Sequence, residues 1–494
     1  MVTDISSALD DARLLNLPQG WTQIKFIDSI EKISLTDKKL KQSAYLEKGD
    51  IPVVDQGQTL IGGYTNRADL KITSIAPIII FGDHTKVLKF VNFNFVAGAE
   101  GVKPFHAQPW YDPKFLFYML HVVDLPDKGY ARHFQYLERV VLPLPPLPEQ
   151  HRIVTKIEEL FTQLNAGVVS LKKVQVQLKR YRQAVLKAAF DGRLTQEWRE
   201  EHKREIEPAS VLFEKIKREY HRDEKEITKR LPLVEAELFQ VPEEWIWVRA
   251  QDVCENITNG YTPTADKLFE GSGEIPFIKV YNLTKTGSLN FTVKPTFISR
   301  ITHETELRRS AVYPQDVLMN IVGPPLGKVS LVPELHGEWN INQAMVIYRT
   351  FPQYSRKLIL YVLLSETIQK WLQKRGKTTA GQTNYTITMS RSLPIPLPPL
   401  DEQSIIVNEI ERHFSQIDHL EKTLENSLRQ AETLRHSILK RAFEGKLVPQ
   451  DPTDEPAFVL LERIKAERAH HMAEVKKGKK DQSPPPKRRI KHAN

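Results

Sequence analysis

Two stretches of the chain carry apolar residues at alternating steps of three and four. Ile153, Ile157, Leu160, Leu164, Leu171, Val174, Leu178 and Val185 form the first, with Gly167 and Tyr181 filling two gaps in the register. Ile406, Ile410, Ile417, Leu420, Leu424, Leu434 and Ile438 form the second in the same phase, with His413, Ser427 and Ala431 as weaker members. A heptad seam of this kind predicts two long amphipathic helices. No proline interrupts either run, and each stops at a glycine, Gly192 or Gly445, which suits a helix C-cap. Each helix is expected to hold about 40 residues, roughly 60 Å at ~1.5 Å per residue. A lone amphipathic helix of that length is not stable in water, so the two are expected to pack on each other.

Both helices belong to a larger repeat. Leu144-Pro145-Pro146-Leu147-Pro148-Glu149-Gln150 returns as Leu397-Pro398-Pro399-Leu400-Asp401-Glu402-Gln403, an offset of 253 positions from 144 to 397. The offset still holds where Arg182, Leu186, Lys187, Ala189, Phe190, Gly192 and Leu194 match Arg435, Leu439, Lys440, Ala442, Phe443, Gly445 and Leu447. A gapless match over that distance indicates two copies of one structural unit. Proline fixes φ and offers no N–H, so Leu142 to Pro148 is expected to be extended. The likeness resumes at Glu207-Pro208-Ala209 and Glu455-Pro456-Ala457, each followed by a charged helical run; Glu207 to Ile227 is expected to be helical.

The regions before each repeat share an opening and diverge inside. Leu17-Pro18-Gln19-Gly20-Trp21 starts one and Val241-Pro242-Glu243-Glu244-Trp245 the other, each tryptophan being expected to anchor a first strand. In the first region, Ile51 to Val54, Ile75 to Phe81 and Val87 to Phe95 read as strands and Pro113 to Val123 as a helix. In the second, Ile275 to Ile278, Val317 to Val322, Lys328 to Val332 and Ala344 to Tyr348 read as strands and Arg356 to Gln373 as a helix. The expected fold class is therefore α/β, or more broadly mixed α+β. Two globular domains are joined by a long antiparallel two-helix coiled coil, with a pseudo-two-fold internal repeat. The expected divisions are a leader at 1–16, variable domain 17–142, repeat 143–240, variable domain 241–394, repeat 395–468, and a basic tail at 469–494 that is expected to be disordered.

Composition adds a little. Hydrophobic content of 40% and charged content of 27% describe an ordinary soluble chain. The single cysteine, Cys254, excludes an internal disulfide and a cysteine-based metal cluster. With no export signal pattern, a cytoplasmic location is expected. No apolar run is long enough to span a bilayer, so no membrane partner is expected. A net charge of +9 attracts nucleic acid, although Lys476 to Lys491 contributes much of it.

Enzyme motifs are absent. Gly323 to Lys328 superficially resembles a Walker A loop, but the glycine spacing is wrong and Val329 stands where a hydroxyl must reach Mg²⁺. There is no dinucleotide fingerprint, no His-Glu-x-x-His, and no Asn-Pro-Pro-aromatic motif of an adenine methyltransferase. No catalytic residue or metal ligand is assigned.

The repeated Leu-Pro-Pro-Leu-x-Glu-Gln opening a long helix, the closing Phe-x-Gly-x-Leu, and the alternation with two divergent regions together resemble the DNA-specificity subunit of type I restriction–modification enzymes. The run Leu178 to Leu186 through Gly192 to Trp198 looks like the central conserved region of the enterobacterial branch. The likeness covers residues 17 to about 468. It implies a non-catalytic reader of double-stranded DNA whose two variable regions each recognise one half of a split, asymmetric site. The helices would set the spacing between the halves. Two modification subunits would bring S-adenosylmethionine, and restriction (motor–nuclease) subunits would bring ATP and Mg; this chain would bind no cofactor itself.

Candidate DNA contacts follow from donors on glycine-rich turns. In the first region they are Gln56, Gln58, Tyr64, His84, Lys86, Arg132 and His133. In the second they are Lys279, Tyr281, Asn282, Lys328, Arg375, Lys377, Thr378, Gln382, Asn384 and Tyr385, with Gln382 or Asn384 suited to an adenine edge. The segment Gly129 to Phe134 is expected to correspond to the loop at 374–385. Candidate contacts to modification subunits are Phe190, Arg193, Leu194, Phe443, Lys446 and Leu447, for which helix capping is an equally good explanation. Two other readings stay open: a coiled-coil adaptor without DNA specificity, and a self-contained DNA-modifying enzyme.

Overall fold

The computed structural model describes residues 17–73, 76–220, 240–323, 326–379 and 382–481, with side chains at 377–379, 382–383 and 471–481 left aside. The expected leader, residues 482–494 of the basic tail, residue 75 of the expected strand at 75–81 and residues 221–227 of the expected helix lie outside them; residues 469–481 of that tail, expected to be disordered, instead continue the helix Ala457–Asp481. The chain forms two compact units, one from residues 1–171 and 426–494, the other from 172–425.

The two predicted long helices are present as Leu147–Phe190 and Leu400–Phe443, each of 44 residues. Each contributes one segment to each unit. In the first unit Arg152 pairs with Asp454 and Arg435 with Asn165. In the second, Arg182 pairs with Asp418 and Arg199 with Glu402. Asn165–Arg435 and Arg182–Asp418 join the long helices directly, and the start of each helix, at Arg152 or Glu402, meets the chain just past the end of the other, at Asp454 or Arg199, so the helical segments in each unit run antiparallel. The heptad seam is buried only in part. Ile153, Ile157, Leu178, Val185, Ile406, Ile410, Ile417, Leu424 and Ile438 are buried, whereas Val174, Leu420 and Leu434 are 40%, 51% and 50% exposed. The buried positions include those packed in the domain cores; two helices alone cover one another less completely.

Both helices end as the glycines predicted. Gly192 has φ +76 and Gly445 φ +67. Arg193 N–H bonds to Ala188 O and Lys446 N–H to Arg441 O, the six-to-one bond of a Schellman turn. A Cβ at either glycine would also overlap a proline ring, Pro242 for Gly192 and Pro18 for Gly445. The closing glycine of each repeat thus seats the opening proline of a variable region.

The repeated Glu-Gln pair moors each domain. Trp21 Nε1 donates to Glu149 at 2.9 Å and Trp245 Nε1 to Glu402 at 2.7 Å. Gln150 accepts from Asp112 N–H and donates to the Trp110 and Pro145 carbonyls. Gln403 accepts from Ser355 N–H and donates to the Gln353 and Pro398 carbonyls. Asp112 and Ser355 in turn cap the helices Pro113–Leu120 and Arg356–Leu364. Tyr111 and Tyr354 donate to Pro143 O and Pro396 O.

The domains share one sheet plan. In the first unit Ile30–Lys32, Val102–Ala107, Ile78–Gly82 and Leu88–Val91 form an antiparallel sheet in that order. In the second, Cys254–Asn259, Met345–Thr350, Val317–Asn320 and Val329–Leu331 repeat it. A second sheet pairs Ile51–Val54 parallel with Val96–Gly98 in one unit, and Ile275–Ile278 parallel with Trp339–Ile341 in the other. Several expectations need trimming. The strand expected over Val87 to Phe95 is Leu88–Val91, Lys328 precedes its strand, and the first long helix begins at Leu147 with Pro148 in its first turn. The helix expected over Arg356 to Gln373 is two, Arg356–Leu364 and Glu366–Arg375. Ser365 breaks it: its hydroxyl bonds back to Val362 O, and Gln183 accepts the Glu366 N–H.

Candidate nucleic-acid interface

In the first unit, four segments converge at one end of the two sheets. They are the end of Ile51–Val54, the turn between Ile78–Gly82 and Leu88–Val91, the link from Gly98 to Val102, and the loop before the helix Phe134–Leu137. Backbone bonds join them: His133 N–H to Asp83 O at 2.8 Å and Asp83 N–H to Gly101 O at 2.6 Å. Gln56 completes the join, accepting the His84 N–H through its side chain and the Thr85 hydroxyl through its carbonyl.

The second unit repeats this convergence with unrelated side chains. Tyr385 N–H bonds to Ile321 O and Ile321 N–H to Ala344 O, both at 2.8 Å. Asn342 N–H bonds to Ile278 O, and Lys328 Nζ donates to Val280 O. The turn around Gly323 is thus the counterpart of the turn around His84. The hairpin Lys377–Thr379/Gln382–Asn384 stands where the loop at 129–133 stands in the first unit, and each leads into a short helix, Ile387–Arg391 or Phe134–Leu137. Expected correspondence and geometry agree here.

Two carboxylates of the first edge, Asp55 and Asp83, are engaged internally. Asp55 pairs with buried Lys89 and accepts the Gly57 N–H. Burial, with Asp55 adding to it, pushes the Tyr45 phenol up to about 12. Asp83 accepts the Phe134 N–H and lies 3.6 Å from Lys103. With these two anions matched, neither adds an unpaired negative charge that would repel a phosphate approaching the exposed Arg132.

The candidate residues fall into groups. Gln58 and Arg132 are exposed, and His84 and Lys86 are half-buried on the converging turn, Lys86 with φ +58 and its ammonium 3.7 Å from Asp127. Gln56 acts from within, as the brace just described. Tyr64 is half-buried on Gly63–Thr65, opposite Pro52. His133 is a correction: it is fully buried, with Nδ1 3.1 Å from Asp83 O, so it shapes the loop and presents nothing to a ligand. Asn282 is another: it is buried and satisfies Lys279 N–H, Asn290 O and Val293 O, the local backbone role that short amides take in turns. Tyr385 is buried as well. Lys279 is half-buried; Tyr281 is exposed and bonds to Lys294 O. Arg375 stacks on Trp371 at 4.4 Å, and Asn384 is half-buried. The side chains of Lys377, Thr378 and Gln382 lie outside the described residues.

Sequence reasoning passed over Tyr130. It is 79% exposed, and its ring stacks on His84 at 4.3 Å and 5°. An aromatic beside Gly129 was the available signal. Of the partner candidates, Phe190 is buried, Phe443 packs edge-on against Phe115, and Leu194 and Leu447 pack on the cores. Arg193 and Lys446 are exposed and paired with neighbouring Asp191 and Glu444.

The chain matches the family model of the type I restriction modification DNA specificity domain twice, over residues 18–170 and 242–430. It is 31% identical over 350 residues to the type I restriction enzyme EcoBI specificity subunit of Escherichia coli; the match covers 67% of this chain and 65% of that protein. It is 26% identical over 372 residues to the EcoDI specificity subunit of Escherichia coli, covering 72% of this chain and 77% of the relative. A solved chain described under the complex assembly and conformational transition of the type I R-M system shares the fold at TM-score 0.60 and 18% identity, over 87% of this chain and all of that one. Among the described residues no helix is long and apolar enough to cross a membrane.

Proposed function

The chain belongs to the type I restriction modification DNA specificity domain family, and on that premise we propose that it is the non-catalytic subunit that reads double-stranded DNA for a type I restriction–modification complex. Each variable domain reads one half of a split, asymmetric site. The observation that carries this reading is the duplicated convergent edge. Two domains of unlike sequence hold loops of polar and cationic side chains on the same frame of four converging segments, as expected of readers with one mounting and different targets.

The paired long helices set the distance between the halves and carry two modification subunits, with restriction subunits joining for cleavage. S-adenosylmethionine belongs to the modification subunits, ATP and Mg to the restriction subunits, and the assembly works in the cytoplasm. The test is a methylome. The chain is expressed with its modification partner in a methylation-free bacterial host and modified adenines are mapped. A split motif with a fixed gap is expected, and exchanging residues 17–142 for those of another family member should change one half alone. A purified complex that marks no motif would overturn the reading.

A further inference from the structure

The imidazole of His84 is oriented by two ring contacts, and its backbone is fixed by a third. Its backbone N–H is fixed by Gln56 Oε1 at 3.1 Å. One ring face is covered by Tyr130, nearly parallel at 5°. Its Nδ1 lies 3.2 Å from the Ala131 carbonyl oxygen. A carbonyl oxygen only accepts, so Nδ1 carries the hydrogen. In the neutral ring Nε2 is then a lone-pair acceptor and cannot donate. Nε2 has no hydrogen-bond partner among the described residues and is not sealed from solvent.

A preset acceptor on a turn at the converging edge has a defined complement. In the major groove the exocyclic amino groups, adenine N6 and cytosine N4, are donors, whereas guanine N7 and O6 and thymine O4 are acceptors. We propose that His84 is a specificity-determining residue of the first domain, accepting through Nε2 from the amino group of an adenine or cytosine in its half-site. Tyr130 is the positioning residue. Its ring restricts the imidazole plane, while its high exposure keeps the stack at the molecular surface. This rests on the DNA-reading function proposed above and adds the base class read.

The test uses the chain in complex with its modification partner and duplexes carrying the motif found in the methylome. In the half-site that changes when 17–142 is exchanged, each adenine is replaced in turn by purine, lacking the 6-amino group. Each cytosine is replaced by its 4-deamino analogue. One replacement is expected to weaken binding by roughly tenfold or more, the scale of a good base contact. In His84→Phe, which keeps an aromatic ring but has no acceptor, that penalty should vanish and that position alone should become permissive; His84→Gln, which restores an acceptor, should recover it. A half-site with no amine-sensitive position, or a penalty that persists in His84→Phe, overturns the proposal. The analogue scan on the unmodified protein decides the first point even if a variant fails to fold. A complex without any sequence preference would instead defeat the DNA-reading function itself.

Discussion

Trp245 donates its indole N–H to Glu402 at 2.7 Å, across 157 positions of sequence. The same carboxylate accepts from Thr195 and from the Arg199 guanidinium, so a fully buried anion is matched by three donors. Glu402→Gln would keep an acceptor for the indole but remove the nearer counter-charge of the largely buried Arg199, leaving it only Glu244, 3.8 Å from its Nε. Removing one member of a buried pair costs about 3 kcal/mol. Urea unfolding should show the second unit's transition moving to lower denaturant by that amount. A shift below ~1 kcal/mol would mean that Arg199 is held by Glu244 instead.

The counterpart Glu149 responds differently. It accepts from Trp21, but its Oε1 is buried without a partner among the described residues. Burial raises its carboxyl, opposed by the Trp21 hydrogen bond and by Arg152. The folded chain therefore holds this proton more tightly than the unfolded chain. Its contribution is most favourable below the unfolded value of ~4.3 and is lost as pH rises through the raised folded value. Glu149→Gln should accordingly be neutral or stabilising at pH 7.5. That advantage should shrink toward pH 4, where the wild-type carboxyl is itself neutral. Urea midpoints at the two pH values check the sign; a variant destabilised equally at both would contradict it.

Gly192→Ala and Gly445→Ala should each destabilise. Both backbones sit at positive φ, which costs an alanine roughly 1 kcal/mol. Overlap with Pro242 or Pro18 adds to that. The check separates the two causes. Pairing Gly445→Ala with Pro18→Ala should recover the overlap part and leave the φ part, so a double variant no better than the single would assign the whole cost to the backbone.

The long helices were legible because their signal is long. Eight or so apolar positions in phase outweigh local noise, and the closing glycines appear twice. The moorings were legible only as repetition: nothing in Glu149-Gln150 announces that Gln150 will satisfy the backbone at Trp110 and Asp112. The sheets were less legible because their strands run from two to six residues, too short for alternation to fix their ends. The break at Ser365 was hidden because its cap comes from Gln183, far away in sequence. At the edge, adjacent residues separate completely. Arg132 is exposed and His133 buried, a difference set by the bond of His133 to Asp83 and invisible in a run of polar letters.

The proposed spacing role can be tested at Gly167. That residue is exposed, and a Cβ there would meet nothing within 4 Å, so inserted residues enter open space. Four added residues lengthen a helix by ~6 Å, about two base pairs at ~3.4 Å each. Seven add ~10.5 Å, about three base pairs, and preserve the heptad phase. Methylome mapping of each insertion variant should recover both half-sites unchanged, with the gap between them widened by one or two and by about three base pairs. The seven-residue variant is the decisive one because its helix face is undisturbed. Retained methylation at the original gap would exclude the helices as the spacer and leave them the docking role alone.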